Sequence, residues 1–371
     1  MSGDEVELSG RLAAARRACG AAGVDALLVT PGADLRYLTG YAATALERLT
    51  CLVLPAAGDP TLIVPRLERP AAEASCAPGA GLRIVAYADG ADPYPLVRQA
   101  LGGDVATVGV SNRMWAEQVF AVRAVLPDAH LQLAGGVLAG LRIRKTAAEV
   151  AALRQAGAAI DAVHAGMGRW LRPGRTEAQV AADIAAAIRH AGHASADFVI
   201  VASGPNGASP HHGTSDRVIQ PGDPVVVDIG GVMPSGYCSD STRTYLSGGA
   251  APGGFHDSYE VLMRAQQAAV AAVRPGVTAE AVDAAARDIL TAAGYGEAFL
   301  HRTGHGIGLD VHEEPYIVAG NPLRLEPGMA FSVEPGVYFP GRHGARIEDI
   351  VVCTADGAER LNRRPIELAT L

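Results

Sequence analysis

The amino-acid sequence of 371 residues predicts an α/β domain followed by a larger α+β domain that contains an internal repeat. The length exceeds the roughly 250–300 residues at which one hydrophobic core usually stops growing. Short apolar strand patterns alternate with helical patterns in the first third of the chain, whereas the motifs of the remainder occur twice at nearly constant offsets. We therefore expect two domains, residues 1–140 and residues 141–371.

The first domain shows a series of short elements. Residues 11–23 predict a helix that ends at Gly23, and the apolar run at 25–30 predicts the strand after it. Further strands are predicted in CLVLP, TLIVP, GLRIVAY and VATVGV, and a helix is predicted around Trp115 to Val125. The region carries no P-loop and no GxGxxG at a strand-to-helix turn, so nothing indicates nucleotide binding.

Composition excludes several classes of partner. The formal net charge is -8, and no cluster of Lys and Arg occurs, which argues against a nucleic-acid or anionic-membrane surface and favours a small molecule or peptide. The acidic N-terminus lacks the features of a signal peptide, and no apolar run approaches the roughly 18 residues of a membrane span, so cytoplasm is expected. Five scattered cysteines are expected to be reduced thiols.

A long amphipathic helix from about Thr146 to Trp170 leads into the second domain, where one helical motif occurs twice. RPGRTEAQVAADIAAAIRHAG, from Arg172, aligns with RPGVTAEAVDAAARDILTAAG, from Arg274, at an offset of 102 residues. A Thr followed after three residues by Gln forms the capping-box pattern of the first copy. Its apolar stripe consists of Val180, Ile184 and Ile188.

The repeat continues into acidic strands. QPGDPVVVDIGG aligns with EPGMAFSVEPGV at an offset of 106 residues, which pairs Asp228 with Glu334. In each half a second carboxylate follows on a later β-like segment, Asp240 after 12 residues and Glu348 after 14. Chance does not readily produce this symmetry, so we expect the four carboxylates to occupy equivalent places in two half-domains.

These acids lie within apolar strand patterns, where a carboxylate is costly to bury unless it is paired or binds a metal. Taken singly, each acid is more often a paired structural residue, but the two candidate partners, Arg243 and Arg346, cannot neutralise four carboxylates. The segment between the acidic strands, LHRTGHGIGLDVHEEP, adds imidazoles without an HExxH pattern. Its histidines are His301, His305 and His312. Together, the acids and histidines favour a metal site.

Four carboxylates and one imidazole form a ligand set dominated by oxygen. Such a set suits Mn²⁺ best, with Co²⁺, Fe²⁺ or Zn²⁺ as alternatives. Bridging carboxylates can hold two divalent ions about 3.5–4 Å apart, where they activate a water molecule and polarise a carbonyl. The glycines beside His305 are expected to let backbone and imidazole approach a crowded site closely.

The order Asp, Asp, His, Glu, Glu, in the contexts VVVDIGG, YCSDSTRT, TGHGIGLDVHE, SVEPGVY and RIEDI, resembles the pita-bread metallopeptidases of the creatinase, aminopeptidase P and prolidase (M24-type) family. The resemblance is to the prolidase and aminopeptidase P branch and covers essentially the whole chain. It implies a creatinase-like α/β N-terminal domain, an α+β pita-bread catalytic domain with a pseudo-two-fold repeat, and a homodimer. The implied ligands of the two metal ions are Asp228, Asp240, His305, Glu334 and Glu348.

The resemblance also implies catalytic and substrate-binding residues. His211 is expected over the metal site, where it stabilises the reacting carbonyl or shuttles a proton, and we prefer it to the adjacent His212 because it follows a proline as in the family pattern. His312 is expected to bind the substrate from the opposite side and to share in stabilising the oxyanion. Glu334 is the expected proton shuttle.

Two further positions are implied to bind substrate. His301 matches a histidine of the same motif. Arg346 either orients Glu348, which lies two residues further on the same strand face, or meets the substrate's carboxylate.

The implied activity is hydrolysis of Xaa-Pro dipeptides, as in a prolidase. The alternative is an Xaa-Pro aminopeptidase (aminopeptidase P) that acts on longer peptides. A creatinase-like hydrolase that works without metal and a non-catalytic pita-bread binding protein are disfavoured, the latter because all five ligand positions match the pattern.

Overall fold

The computed structural model describes residues 3–371, which form two compact units, one ending at Arg142 and one spanning Ile143–Leu371. The last helix of the first unit covers Gly135–Arg142. The boundary predicted after residue 140 lies within this helix.

The first unit is built on a six-stranded sheet. Its strands are β1 (Ala26–Val29), β2 (Cys51–Pro55), β3 (Thr61–Pro65), β4 (Arg83–Tyr87), β5 (Thr107–Val110) and β6 (His130–Leu133). Its helices are α1 (Gly3–Ala22), α2 (Ala33–Thr39), α3 (Arg69–Glu73), α4 (Tyr94–Leu101), α5 (Ala116–Val125) and α6 (Gly135–Arg142). The strand order is β4-β3-β2-β1-β5-β6, and β2 is antiparallel to both of its neighbours.

The apolar strand patterns of this unit form its buried sheet. Strands β1 and β2 are buried along their whole length, and Leu28, Val53 and Ile63 belong to one core cluster. Gly23 follows α1 with a φ of 65°, a conformation that suits glycine and ends the helix where it was predicted to end.

The second unit contains three sheets and four long helices. The helices are α7 (Ala147–Ala165), α8 (Glu177–His190), α9 (Phe255–Ala272) and α10 (Ala279–Ala292), with 3₁₀ turns at Met167–Arg169, Gly204–Ala208 and Gly296–Ala298. The strands are β7 (Ser195–Ser203), β8 (Asp223–Val232), β9 (Cys238–Ser247), β10 (Gly304–Gly306), β11 (Glu313–Ile317), β12 (Ala330–Val333), β13 (Gly336–Phe339), β14 (His343–Arg346), β15 (Asp349–Cys353), β16 (Ala358–Arg360) and β17 (Ala369–Thr370).

The sheets of this unit carry the sequence repeat. In the sheet β17-β9-β8-β7, strand β8 pairs antiparallel with β9, and in the sheet β11-β10-β12-β15-β16, strand β12 pairs antiparallel with β15. Asp228 lies in β8 and Glu334 directly follows β12, while Asp240 lies in β9 and Glu348 directly precedes β15. Each half therefore has one carboxylate in or directly beside each strand of an antiparallel pair, which confirms the internal repeat.

The predicted helices of the repeat are present. Thr176 caps α8 by accepting a hydrogen bond from the backbone N–H of Gln179, whose side chain completes the capping box. The apolar stripe of α8 is fully buried in the core of the first half. Helix α7 is shorter than predicted, because Gly166, a weak helix former, ends it before the 3₁₀ turn that leads to Trp170.

The helices of residues 3–371 include none that is both long enough and apolar enough to cross a membrane.

Candidate active site

Six side chains that the sequence singled out meet between the two halves of the second unit. Their ligand atoms form overlapping groups that could hold a metal ion, and within each group the atoms lie within 4.8 Å of one another. The groups are Asp228, Asp240 and Glu348; His305, Glu334 and Glu348; and Asp240, His305 and His312. The last group contains His312, which the sequence had suggested only as a catalytic and substrate-binding residue.

His305 joins the acids of the two halves. Its Nε2 lies 3.2 Å from Oε1 of Glu334 and 3.6 Å from Oδ2 of Asp240. Its Nδ1 lies 3.1 Å from the carbonyl oxygen of Gly306, which is satisfied when Nδ1 carries the proton and donates. This tautomer leaves the lone pair of Nε2 free to bind a cation.

The close approach around His305 depends on its neighbouring glycines. A Cβ atom on Gly304 would lie 1.8 Å from the carbonyl oxygen of Ser332, and one on Gly306 would lie 2.2 Å from that of Glu314. The Oγ of Ser332 accepts from the backbone N–H of His305 at 2.9 Å and donates to Glu334 at 2.9 Å. The glycines thus let β10 lie against β11, which directly follows His312, and β12, which directly precedes Glu334.

Two carboxylate oxygens of the cluster are buried without a hydrogen-bond partner in the described part of the chain. They are Oδ1 of Asp228 and Oε1 of Glu348, whereas Oε2 of Glu348 accepts from the hydroxyl of Thr242 at 2.7 Å. A buried carboxylate oxygen without a partner is costly. Both oxygens belong to groups that could hold a metal, so the donor set fits divalent cations.

Charge balance leads to the same conclusion. Burial, together with the nearby carboxylates of Asp228 and Glu334, raises the pKa values of Asp240 and Glu348 well above their ordinary range. Arg346 forms the ion pair with Asp228, at 2.7 Å from Nη2 to Oδ2. One guanidinium cannot balance four carboxylates whose side chains are at most 15% exposed, and hard oxygen ligands in such number suit divalent cations.

Among the described residues, Arg346 pairs with Asp228 and not with Glu348, the carboxylate that we expected it to orient. Its side chain pairs with Asp228, and its Nη1 donates to the hydroxyl of Tyr338 at 2.8 Å and to the carbonyl oxygen of Pro210 at 3.3 Å. Its Nε donates to Thr242 at 3.2 Å. The Arg346 side chain is 3% exposed and makes four hydrogen bonds to protein acceptors, one of which is Asp228.

Arg243, the other arginine considered as a partner of the acids, does not pair with any of the four in the described residues. Its Nη2 lies 2.7 Å from Asp349, and its Nη1 donates to the carbonyl oxygen of Glu348 at 2.6 Å. Arg243 therefore holds the backbone of the segment that carries Glu348.

A cavity of about 730 Å³ opens over the carboxylates. The predicted metal ligands and other candidate residues line it, and the side chains of His211 and His312 are exposed there. The rings of His305 and His312 lie 4.0 Å apart between centroids. The cavity is also lined by Phe198, Ile200, Pro210, His301, Arg302, Val311 and Arg346.

The two adjacent histidines occupy different environments. His211 lines the cavity, while Nε2 of His212 lies 2.9 Å from the buried carboxylate of Glu177. His301 is half-buried at the cavity, where its Nε2 lies 2.8 Å from the hydroxyl of Tyr338, and burial lowers its pKa.

Several residues of the site were missed in the sequence. Tyr338 joins His301 to Arg346, Arg302 adds a guanidinium to the cavity wall, and Phe198 with Ile200 form an apolar face on β7. The alternation of Phe198 and Ile200 marks one face of a strand, but not what that face borders. No local pattern marks Tyr338, because its partners are distant in the chain or in another motif.

Two regions of the chain match known family profiles. Residues 151–355 match metallopeptidase family M24, and residues 11–144 match the creatinase/prolidase N-terminal domain.

Individual proteins are similar over nearly their whole length. The probable dipeptidase PepE of Mycobacterium tuberculosis is 58% identical over 361 residues, or 96% of this chain and 95% of that protein. The Xaa-Pro dipeptidase of Lactobacillus delbrueckii subsp. lactis is 37% identical over 356 residues, or 94% and 95%. The crystal structure of dipeptidase PepE from Mycobacterium ulcerans has a TM-score of 0.94 at 57% identity and covers 100% of this chain and 99% of that one. The chain therefore belongs to metallopeptidase family M24.

Proposed function

We propose that this metallopeptidase is an Xaa-Pro dipeptidase. The observation that carries the proposal is the group of carboxylates and imidazole at the base of a cavity with a partly apolar wall. The similarity to a protein named Xaa-Pro dipeptidase supports the choice of substrate. The proposed ligands of two divalent metal ions are Asp228, Asp240, His305, Glu334 and Glu348.

The proposed reaction is hydrolysis of the amide bond before proline. A pair of divalent cations supplies activation of a water molecule and polarisation of the scissile carbonyl. His211 and His312, which are exposed at the cavity, donate hydrogen bonds to the oxygen on which negative charge develops. Glu334 accepts a proton from the attacking water and returns it to the departing proline nitrogen.

The apolar wall suits the proline side of the substrate. The nitrogen of the scissile amide belongs to the proline ring and carries no hydrogen, so the site needs no hydrogen-bond acceptor at that atom. Phe198, Ile200, Pro210 and Val311 line the cavity with apolar atoms that can pack on a pyrrolidine ring. His301 is proposed to contact substrate from the same cavity.

Arg346 has two proposed roles, which are substrate binding and orientation of a metal ligand. The contacts of Arg346 support the second role, because all four hydrogen bonds of its guanidinium go to protein acceptors, one of which is Asp228.

The native metal is proposed to be Mn²⁺, because the donor set contains four carboxylates and one imidazole. Co²⁺, Fe²⁺ and Zn²⁺ are the alternatives. Activity of protein reconstituted with each ion after chelation, compared with the metal content of protein isolated from its native host, tests this assignment.

The substrate is tested by comparing three peptides on protein loaded with Mn²⁺. An Xaa-Pro dipeptide should be cleaved, while the matched Xaa-Ala dipeptide should be a poorer substrate because the pocket is not filled by a ring. An Xaa-Pro-Yaa tripeptide tests the alternative, an Xaa-Pro aminopeptidase. Cleavage of the tripeptide with little cleavage of the dipeptide would overturn the dipeptidase proposal.

Three wider features are also proposed. The family resemblance supports a homodimer, which light scattering would test. The five free cysteines support a reducing compartment, and we propose the cytoplasm, to be tested by cell fractionation. The division into a creatinase-like domain of residues 1–140 and a metallopeptidase domain of residues 141–371 is proposed, and limited proteolysis would test it.

A further inference from the structure

A fully buried carboxylate lies behind the segment that carries His211. Glu177, the first residue of α8, is 0% exposed. It lies next to residues 203–215, which we name the His211 loop. This loop includes the end of β7 and the 3₁₀ turn Gly204–Ala208, and it reaches the cavity at Pro210 and His211.

Glu177 gathers hydrogen bonds from both ends of the His211 loop. At one end the backbone N–H and the hydroxyl of Ser203 donate to Oε1, each at 2.7 Å, and the amide of Asn206 donates at 3.1 Å. At the other end Nε2 of His212 lies 2.9 Å from Oε2, and the hydroxyl and backbone N–H of Ser215 donate at 2.6 and 3.3 Å. One side chain therefore closes the loop on itself.

These donors require an ionised carboxylate. Burial alone would raise the pKa of Glu177, but the hydrogen bonds from Ser215, Ser203 and His212 outweigh burial and hold the pKa below its ordinary value. An ionised carboxylate only accepts hydrogen bonds, which matches a ring of N–H and O–H donors.

The opposite side of the His211 loop is fixed by β14. A Cβ atom on Gly344 would lie 2.0 Å from the carbonyl oxygen of Gly207, so the two backbones touch where neither residue has a side chain. Nη1 of Arg346 donates to the carbonyl oxygen of Pro210, and Nη2 of the same guanidinium binds Asp228. The loop is therefore bound to Glu177 on one side and to an arginine of the carboxylate cluster on the other.

His211 stands between these two attachments. Pro210 before it is bound to Arg346, and His212 after it is bound to Glu177. The imidazole of His211 is itself exposed at the cavity, so its place depends on the backbone that carries it. In catalysis, a displacement of about 1 Å of a group that must meet the substrate can cost about 10²-fold in rate.

We propose that Glu177 is a positioning residue that places His211 over the reacting carbonyl by holding the His211 loop through His212, Ser203, Asn206 and Ser215. The proposal deepens the proposed function and rests on it, because the role of His211 belongs to that function. Glu177 is buried and acts through other residues.

The test is a double-mutant cycle with Glu177→Gln and His211→Ala. The change to Gln keeps size but replaces an acceptor oxygen by an NH₂ group that opposes the donors around it. In the otherwise native protein, Glu177→Gln should lower kcat by about 10-fold or more, with bound Mn²⁺ unchanged. In the His211→Ala background the same change should alter kcat by less than about 2-fold, because the group that it places is already absent.

Equal loss of kcat in both backgrounds would overturn the proposal, since a general structural defect adds independently of His211. A folded Glu177→Gln protein with native kcat would also overturn it. The matched control is Asp161→Asn, which alters another buried helix acid, one that accepts from Asn362 and from the backbone N–H of Arg363. This control should change stability and leave kcat at the native level.

Hydrogen exchange gives a readout that is independent of activity. The amides of residues 203–215 should exchange faster in Glu177→Gln than in the native protein, and at native rates in Asp161→Asn. Unchanged exchange in Glu177→Gln would contradict the proposal even if no Xaa-Pro peptide were a substrate. Failure of the native protein to cleave Xaa-Pro peptides would refute the proposed function alone. If Glu177→Gln does not fold, Ser215→Ala, which removes the hydroxyl donor at 2.6 Å, replaces it in both experiments.

Discussion

The histidines of this protein differ in what surrounds each ring. His305 is buried between Glu334 and Asp240, with its other nitrogen at a carbonyl oxygen. His211 and His312 are exposed at the cavity. Identical side chains are therefore suited to different tasks, because a metal ligand needs a fixed lone pair and a substrate contact needs access.

Single alanine replacements should separate these tasks. His305→Ala removes the imidazole between two carboxylates, so bound metal and activity should fall together. His211→Ala and His312→Ala should leave metal bound and lower kcat by about 10²–10³-fold, as for loss of one oxyanion donor. Metal content by mass spectrometry and turnover of an Xaa-Pro dipeptide provide the measurement.

The control is His190→Ala, because this histidine lies at the exposed C-terminal end of α8. It should retain native metal content and turnover. Native turnover in both His211→Ala and His312→Ala would show that their proposed roles are wrong. Loss of metal in His312→Ala would instead assign it to the metal group that it forms with Asp240 and His305.

At this scale the sequence predicted the residues of the cluster better than their partners. The repeat located Asp228 and Glu334, because an acid within each of two aligned apolar segments can be recognised from the sequence alone. The partner of Arg346 could not be predicted, because strand periodicity shows which side chains share a face but not which residue 118 positions away lies next to them. Glu177 was missed because its six donors come from a folded loop.

The element β10 shows how a strand of three residues can position His305, a candidate metal ligand. Its two glycines allow backbone contact with Ser332 and Glu314, where a Cβ atom on either would overlap a carbonyl oxygen. Short strands of this kind give little periodic signal, which is why the sequence predicted the motif around His305 but not the strand pairing.

Gly304→Ala should therefore destabilise the protein. The new Cβ would lie 1.8 Å from the carbonyl oxygen of Ser332, so β10 must move away from β12. Overpacking of this kind costs about 1–3 kcal/mol, and bound metal should fall because His305 moves with the strand. Urea unfolding and metal content give the two values.

Gly253→Ala is the matched control, because a Cβ atom on Gly253 would have no neighbour within 4 Å. The same substitution there should leave metal content unchanged and alter the unfolding free energy by at most about 1 kcal/mol, in the stabilising direction. Equal effects of the two alanines would contradict the steric explanation.

The contact between α7 and β9 predicts a pH dependence. His164 is 1% exposed, with Nε2 at 3.2 Å from the carbonyl oxygen of Ser241 and Nδ1 at 2.9 Å from the hydroxyl of Tyr245. Burial and the nearby Arg243 lower its pKa to about 3. In the unfolded chain a histidine has a pKa of about 6.5, so between these values the unfolded state binds more protons.

Stability from His164 is thus present above the unfolded pKa and is lost as the pH falls toward the folded value. Between pH 7 and pH 5 the native protein should lose about 2 kcal/mol more unfolding free energy than His164→Gln. Urea unfolding at both pH values with the same Mn²⁺ concentration measures the difference. Equal losses in the two proteins would show that His164 does not remain neutral when buried.

Long elements were predictable and short ones were not. Helix α8 has 14 residues, with a capping box at its start and an apolar stripe along its length, and both were visible in the sequence. Helices α2, α3, α4 and α6 have only five to eight residues, and the sequence pattern did not reveal them. The apolar strands β1, β2 and β3 were found because both faces of the sheet are buried.

On the scale of the second unit, each half has its own core and brings its acids to a shared site. One core lies among α7, α8 and β7–β9, and the other among α9, α10, β12 and β15. Asp228 and Asp240 belong to one half and Glu334 and Glu348 to the other, so part of their mutual repulsion acts between the two halves. Cations at this place would therefore stabilise the association of the halves.

Removal of metal should consequently lower stability as well as activity. A ligand at about 100 times its Kd stabilises the folded state by about 2.7 kcal/mol, so chelation should reduce the melting temperature and Mn²⁺ should restore it. Asp240→Asn sharpens the test, because it removes a proposed ligand when metal is present and, when metal is absent, a buried acid whose ionised form the neighbouring carboxylates repel. The variant should be less stable than the native protein in Mn²⁺ and equally or more stable in chelator. Unchanged melting and activity of the native protein after complete removal of metal would refute the metal site. The same sign of the Asp240→Asn effect in both conditions would show that cations do not offset the charge of these carboxylates.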